Sequence, residues 1–354
     1  MKKFKKPIII GIIAFIIITT GILGTYFSML RPVSNTSEAV VFVINRGDSG
    51  ATVANNLEEA GLIRSTTLFR WHLRASNQPP LAGTYQLDKN MNLLTIIEHL
   101  THGTNLNNLT LVIPEGRNVR AIAKIISDTT NNTEEDVFSL LADNEYIAEL
   151  VNQYWFLTDE IQNPDLHYPL EGYLFPNTYM LANEDVTVKE IFAKMLTETD
   201  RVLTKYQDQI ENLDMTVHEF LTLAAIVQAE GRAEEDFTKI AAVFHRRLEI
   251  NMPLGSCPTT FYAIGVDMAE RELTRVELNT PHPFNTRAPG AVGLPVGPIT
   301  NPGEEALKAT LDPDPTPYLF FVSDKNFKTH FTTTYEEHRA KRQELRDAGL
   351  WHEW

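Results

Sequence analysis

Glu230 lies within a run, residues 215–236 (MTVHEFLTLAAIVQAEGRAEED), whose composition suits proton transfer at a sheltered site. Phe220, Leu223, Ala224 and Val227 recur at helical spacing, and one more step along that apolar stripe reaches Glu230, directly before Gly231. A carboxyl group placed where the next buried side chain belongs is desolvated. Desolvation raises its pKa and lets it hold a proton near neutrality, as a general acid must. The alternative is a fraying helix end whose carboxylate touches only water. A second suggestive stretch is residues 169–179, PLEGYLFPNTY, dense in Pro, Gly and aromatics and without helical period. Rigid aromatic loops can wall a sugar site, because the C–H faces of sugar rings stack on aromatic faces. Glu171, Tyr173 and Tyr179 are its candidates, and the alternative is a loop that plugs a core.

The elements that must hold these groups are legible in outline. Thr216 and Glu219 form a capping box that opens the Glu230 helix, and Gly231 stops it. Residues 237–250 predict another helix, apolar at Ile240, Val243, Phe244 and Leu248, with Arg246 and Arg247 outward. Residues 253–260, 279–287 and 290–303 are dominated by Pro, Gly, Asn and Thr, and so predict loops held in defined turns on a rigid scaffold. YLFFV at 318–322 predicts a buried strand with 329–332 as hairpin partner, and a last helix starts near Tyr335. Upstream, Thr133 caps an acidic first turn (Glu134, Glu135, Asp136), and residues 188–203 predict an amphipathic helix. Between residues 40 and 130 the order "strand, Gly turn, helix" occurs twice, from Val41 and again from Leu109, as in two small related α+β units. Such units are similar to LysM-like modules, which bind glycan chains; a plain spacer is the alternative.

Composition narrows the function classes. The 354 residues carry 46 acidic and 31 basic side chains, a net charge of −15, which argues against nucleic acid as a partner. Cys257 is the single cysteine, so neither an internal disulfide nor a thiolate metal cluster can form. No paired-histidine spacing suggests zinc, and no cofactor is expected. Lys2, Lys3, Lys5 and Lys6 precede an uncharged apolar run over residues 7–30, which predicts an uncleaved membrane-spanning helix. The lysines then stay cytoplasmic, and the chain from about residue 31 lies on the extracytoplasmic side.

LEGYLFPNTY (170–179), AAIVQAEG (224–231), IAAVFHRRLEINMPL (240–254), HPFNTR (282–287), GLPVGPITNPG (293–303) and YLFFV (318–322) resemble, in this order, the endolytic murein transglycosylase (MltG, or YceG-like) family. The resemblance covers nearly the whole chain. It implies an α+β protein with a single N-terminal transmembrane helix (1–31), a LysM-like α+β module (40–130) and a mixed α+β catalytic domain (135–354). It further implies cleavage of nascent peptidoglycan glycan strands between N-acetylmuramic acid and N-acetylglucosamine, leaving 1,6-anhydro ends, beside cell-wall synthases in the membrane. Glu230 takes the place of the catalytic acid, with Asn285, Gln228 and Thr259 as candidate substrate-binding groups. Two departures from the family pattern stand out: Cys257 replaces the Asp of Asp-Pro-Thr, and Asn177 the Asp of Phe-Pro-Asp-Thr-Tyr. Two other readings stay open: a non-catalytic peptidoglycan-binding scaffold, and a hydrolase using Glu171 or Glu234 as second carboxylate.

Overall fold

The computed structural model describes residues 19–21, 23–45, 47–76, 78–102, 109–181, 183–231 and 233–351. The chain divides into two compact units, residues 1–110 with 180–184, and residues 111–179 with 185–354.

In the first unit, strand β1 (Ala39–Ile44) pairs antiparallel with β2 (Gly83–Asp88), with Phe42 opposite Tyr85. The two-residue alternation of a strand puts Phe42 and Ile44 inside and leaves Val41 and Val43 exposed. The helices Gly50–Glu59, Thr66–Ser76 and Leu93–His102 supply Val53, Leu57, Phe69, Leu73, Ile96 and Leu100 to the same core. Ser49 caps the first of these helices by accepting from the Thr52 amide, which satisfies an orphan donor.

The membrane-spanning helix expected over residues 7–30 is corrected here. Among the described residues no helix is long and apolar enough to cross a membrane. Residues 7–18 of that run lie outside the described residues. Of the rest of that run, residues 19–21 and 23–30 are described and helical. The end of the run packs on protein instead: the Tyr26 hydroxyl meets His72 Nε2 at 3.0 Å, and Leu30 lies against the first unit's core.

The second unit is built on the helix Val217–Glu230. Thr216 accepts from the Glu219 amide at 3.1 Å, and the Glu219 carboxylate accepts from the Thr216 amide at 2.8 Å, so the expected capping box is formed. The expected single apolar face is too narrow a description. Every residue from Phe220 to Val227 is buried, which makes this a central helix apolar nearly all round. The helices Phe237–Glu249, Cys257–Ile264 and Glu304–Leu311 pack around it through Ile240, Phe244, Tyr262, Ala306 and Ala309. Strands β3 (Leu109–Val112) and β4 (Thr178–Leu181) pair, as do β5 (Phe320–Ser323) and β6 (Thr329–Thr332), the latter antiparallel. β5 is half-buried rather than buried, because it belongs to a two-stranded sheet whose other cover is the helix Tyr335–Asp347.

Gly172 fixes the turn inside the aromatic stretch. Its φ of 86° is left-handed, and a Cβ built there falls 2.4 Å from Pro298 Cβ. A Gly172→Ala variant is expected to lose on the order of 2 kcal/mol of stability or more, from strain and overpacking together. Urea unfolding with an unchanged m-value checks it.

Candidate active site around Glu230

Glu230 is the last residue of the central helix. Gly231 follows as its C-cap, with its amide donating to Val227 O at 2.9 Å. A Cβ at Gly231 falls 2.0 Å from the Phe237 ring, so only glycine allows the chain to turn this tightly past the next helix. The turn leaves Glu230 half-buried, neither sealed in the core nor free in water.

Glu230 Oε1 accepts a hydrogen bond from Ser256 Oγ at 2.7 Å. Ser256 is 2% exposed and sits at the N-cap of the helix Cys257–Ile264, yet makes no side-chain cap bond to that helix. Its hydroxyl is directed to Glu230 instead. Its backbone is fixed from the other side, the Ser256 amide donating to Thr286 Oγ1 at 3.0 Å.

Two arginines hold the loop that carries Ser256. Arg247 donates from Nη1 to Leu254 O at 2.5 Å and from Nε to Leu319 O at 2.8 Å, with its guanidinium 5.2 Å over the Phe320 ring. Burial pulls the Arg247 pKa down to about 10, while the nearby Glu230 charge pushes it up and Arg287 pushes it down. Arg287 donates to Gly255 O and hydrogen-bonds Cys257. Burial raises the Cys257 thiol above its ordinary range, and Glu230 adds to the rise.

The other residues singled out in sequence make hydrogen bonds within the protein. Gln228 is half-buried, and its Oε1 accepts from the Gly303 amide at 2.9 Å. Thr259 is buried, donating to Ser256 O at 2.8 Å and lying 2.9 Å from Thr286 Oγ1. Asn285 is 3% exposed: its Nδ2 donates to Thr280 O at 2.8 Å and Glu277 O at 3.1 Å, and its Oδ1 accepts from Thr260 Oγ1 at 2.7 Å. Tyr173 is buried with its hydroxyl 2.7 Å from His218 Nδ1, and the Tyr179 hydroxyl donates to Phe175 O at 2.5 Å. Glu171 is 2% exposed and accepts from the Val119 amide at 3.0 Å, the Tyr262 hydroxyl at 2.9 Å and Asn301 Nδ2 at 3.1 Å. Among the described residues no group of His, Cys, Asp and Glu side chains could hold a metal.

Ser256, Arg247 and Arg287 are the members of the site that sequence reasoning did not single out as functional. The helix Cys257–Ile264 was hidden inside an expected loop. Its signals were present: a Ser at the N-cap, Pro258 in the first turn, and Gly265 as a left-handed C-cap with φ 71°.

The YceG-like family profile matches residues 42–344. This chain belongs to the YceG-like family. A relative from Bacillus subtilis (strain 168), named endolytic murein transglycosylase, is 33% identical over 89% of this chain and 88% of its own length. A relative of the same name from Streptococcus pneumoniae serotype 2 is 29% identical over 94% of this chain and 64% of its own length. The crystal structure of a YceG-like protein from Listeria monocytogenes shares 32% identity, with a TM-score of 0.63, over 86% of this chain and 100% of that one.

Two predictions follow from this family member's geometry. Burial, opposed by its hydrogen bonds, lifts Glu171 from 4.5 to about 7. The folded state therefore binds that proton more tightly than the unfolded chain. Its contribution to stability is complete below about 4.5, is lost as pH rises towards about 7, and is constant above. Denaturation midpoints across that window are expected to fall with pH, and Glu171→Gln to flatten the slope. Ser256 Oγ holds the Glu230 carboxyl group in place. Ser256→Ala is expected to cut kcat roughly tenfold or more by loosening that group. Ser256→Thr should restore it.

Proposed function

We propose that this chain is an endolytic murein transglycosylase, an enzyme that cleaves peptidoglycan glycan strands between N-acetylmuramic acid and N-acetylglucosamine and leaves 1,6-anhydro ends. The observation that carries it is Glu230: one carboxyl group at the end of a central helix, half-buried and gripped by Ser256. The names of the relatives from Bacillus subtilis and Streptococcus pneumoniae support it.

The chemistry needs only that group. Glu230, protonated, donates to the glycosidic oxygen as the bond to C1 of muramic acid breaks. The resulting carboxylate takes the proton of the C6 hydroxyl on the same sugar, and that oxygen closes on C1. Glu230 ends protonated again. Hydrolytic glycosidases normally use two carboxylates. Here the nucleophile is held within the substrate, so proximity replaces the second one. Glu230 stands at the end of its helix, bonded by Ser256 and near Arg247, so one carboxyl group is held in place to give a proton and then take one. Glu171 is fully engaged inside the protein, which argues against it as the second carboxylate of a hydrolase.

The buried hydrogen bonds of Asn285 and Thr259 support a role in shaping the site from behind. The enzyme works extracytoplasmically, where its substrate lies, and beside the synthases that extend the strands, ending their growth. Mass analysis of digested strands tests the reading. Anhydro ends from the native chain, with Glu230→Gln folded and at least about 1,000-fold slower, are expected. Reducing ends instead, or intact strands, would overturn it.

A further inference from the structure

The protein is acidic, with 46 acidic against 31 basic side chains, so an arginine has carboxylates in excess to pair with. Arg201 and Arg271 do so, holding Glu198 and Glu277 at 2.6 and 2.7 Å. Among the described residues, Arg247, Arg287 and Arg342 form no ion pair.

Their places are set by three consecutive residues. Gly255 O and Cys257 engage Arg287, and Ser256 between them engages Glu230. Arg342, on the helix Tyr335–Asp347, lies close enough to Cys257 to lower its pKa, and Arg287 in turn lowers that of Arg342. What holds Arg342 is an aromatic face, the Trp351 ring at 5.0 Å, which leaves its charge uncancelled. Arg287 is exposed and Arg342 half-exposed, so both are open to a ligand.

Like charges gathered without counter-ions cost stability, and an anion that docks among them recovers it. Position 257 explains why the charge is open. An Asp there, as in the Asp-Pro-Thr of the family pattern, would give Arg287 and Arg342 an internal partner; Cys257 offers a half-buried thiol, pushed above its ordinary range by desolvation and so uncharged.

We infer that Arg287 and Arg342, backed by Arg247, form a carboxylate-binding subsite beside Glu230 that takes an acid group carried on muramic acid, through its lactyl arm or the peptide attached to it. The inference rests on the transglycosylase reading and deepens it. Such a subsite sets the muramic ring in register with Glu230 and discriminates against uncharged glycans.

The test compares kcat/KM on peptide-bearing strands and on the same strands with carboxylates converted to amides by carbodiimide coupling. The native chain is expected to lose about tenfold on amidation, equivalent to ~1.4 kcal/mol. In Arg287→Gln, Arg342→Gln and Cys257→Asp that ratio is expected to fall below about twofold, with Arg287→Lys intermediate. Thermal unfolding of each variant separates a lost subsite from a lost fold, and Cys257→Asp leaves all three arginines in place. On peptide-bearing strands the lactyl carboxyl is tied up in the amide to the peptide, so an arginine-dependent ratio there assigns a peptide carboxylate; amidase-stripped strands, which free the lactyl carboxyl, show an arginine-dependent ratio only if the subsite takes that group as well. Equal rates on both substrates by the native chain, or variants that slow both equally, overturn the subsite and leave the transglycosylase reading standing. Cleavage of neither overturns both.

Discussion

A helix buried nearly all round must bring its chemistry out at an end, and that constraint governs the second unit. Residues 220–227 are wholly in the core, so no side of Val217–Glu230 is available for a substrate. Its first turn is taken up by the Thr216–Glu219 capping box, and its last, where Gly231 bends the chain against Phe237, offers a polar group to the outside. Glu230 sits there, with its Oε1 bonded by the Ser256 hydroxyl. The surrounding loops are arranged behind that hydrogen bond. Thr286 holds the Ser256 amide, Thr259 holds its carbonyl, and Asn285 gathers the carbonyls at the end of the short helix Arg275–Asn279.

This arrangement explains why polar residues around Glu230 are so deeply buried. A loop-rich scaffold exposes many backbone groups, and each needs a partner once it is covered. Asn285, Thr259, Gln228 and Asn301 answer that need with bonds to backbone or to one another's loops. Glu171 plays the same part with a charge-bearing group, tying Val119, Tyr262 and Asn301 together. Residue types that look chemical in a sequence are here mostly the internal bracing of one carboxyl group.

The sequence was most readable where local rules decide. Thr216, Thr133 and Gly231 declare their caps because capping depends on neighbours three or four residues away. Glu230 was reachable because the apolar spacing leads to it. What stayed hidden depends on distant partners. Ser256 looks like an ordinary loop serine until Glu230, 26 residues earlier, is placed beside it. Arg247 reads as an outward residue on its helix, yet Leu319, 72 residues later, gives it a buried carbonyl. The aromatics of 169–179 show the same limit: Tyr173 and Tyr179 have the composition of a sugar wall, but His218 and the Phe175 carbonyl draw their hydroxyls inward. The apolar run at the N-terminus satisfied a length rule, while the described part of it finds Tyr26–His72 and core contacts that no length rule anticipates.

Arg247 has one more implication. Its guanidinium joins the carbonyl of Leu254, two residues before Ser256, to that of Leu319, which opens the β5–β6 hairpin. The hairpin and the helix Tyr335–Asp347 that covers it are thus tied to the loop carrying Ser256 through one planar, multiply bonded side chain. Three segments far apart in the chain therefore share a single guanidinium as their fastening, and none of them keeps its place independently of the other two.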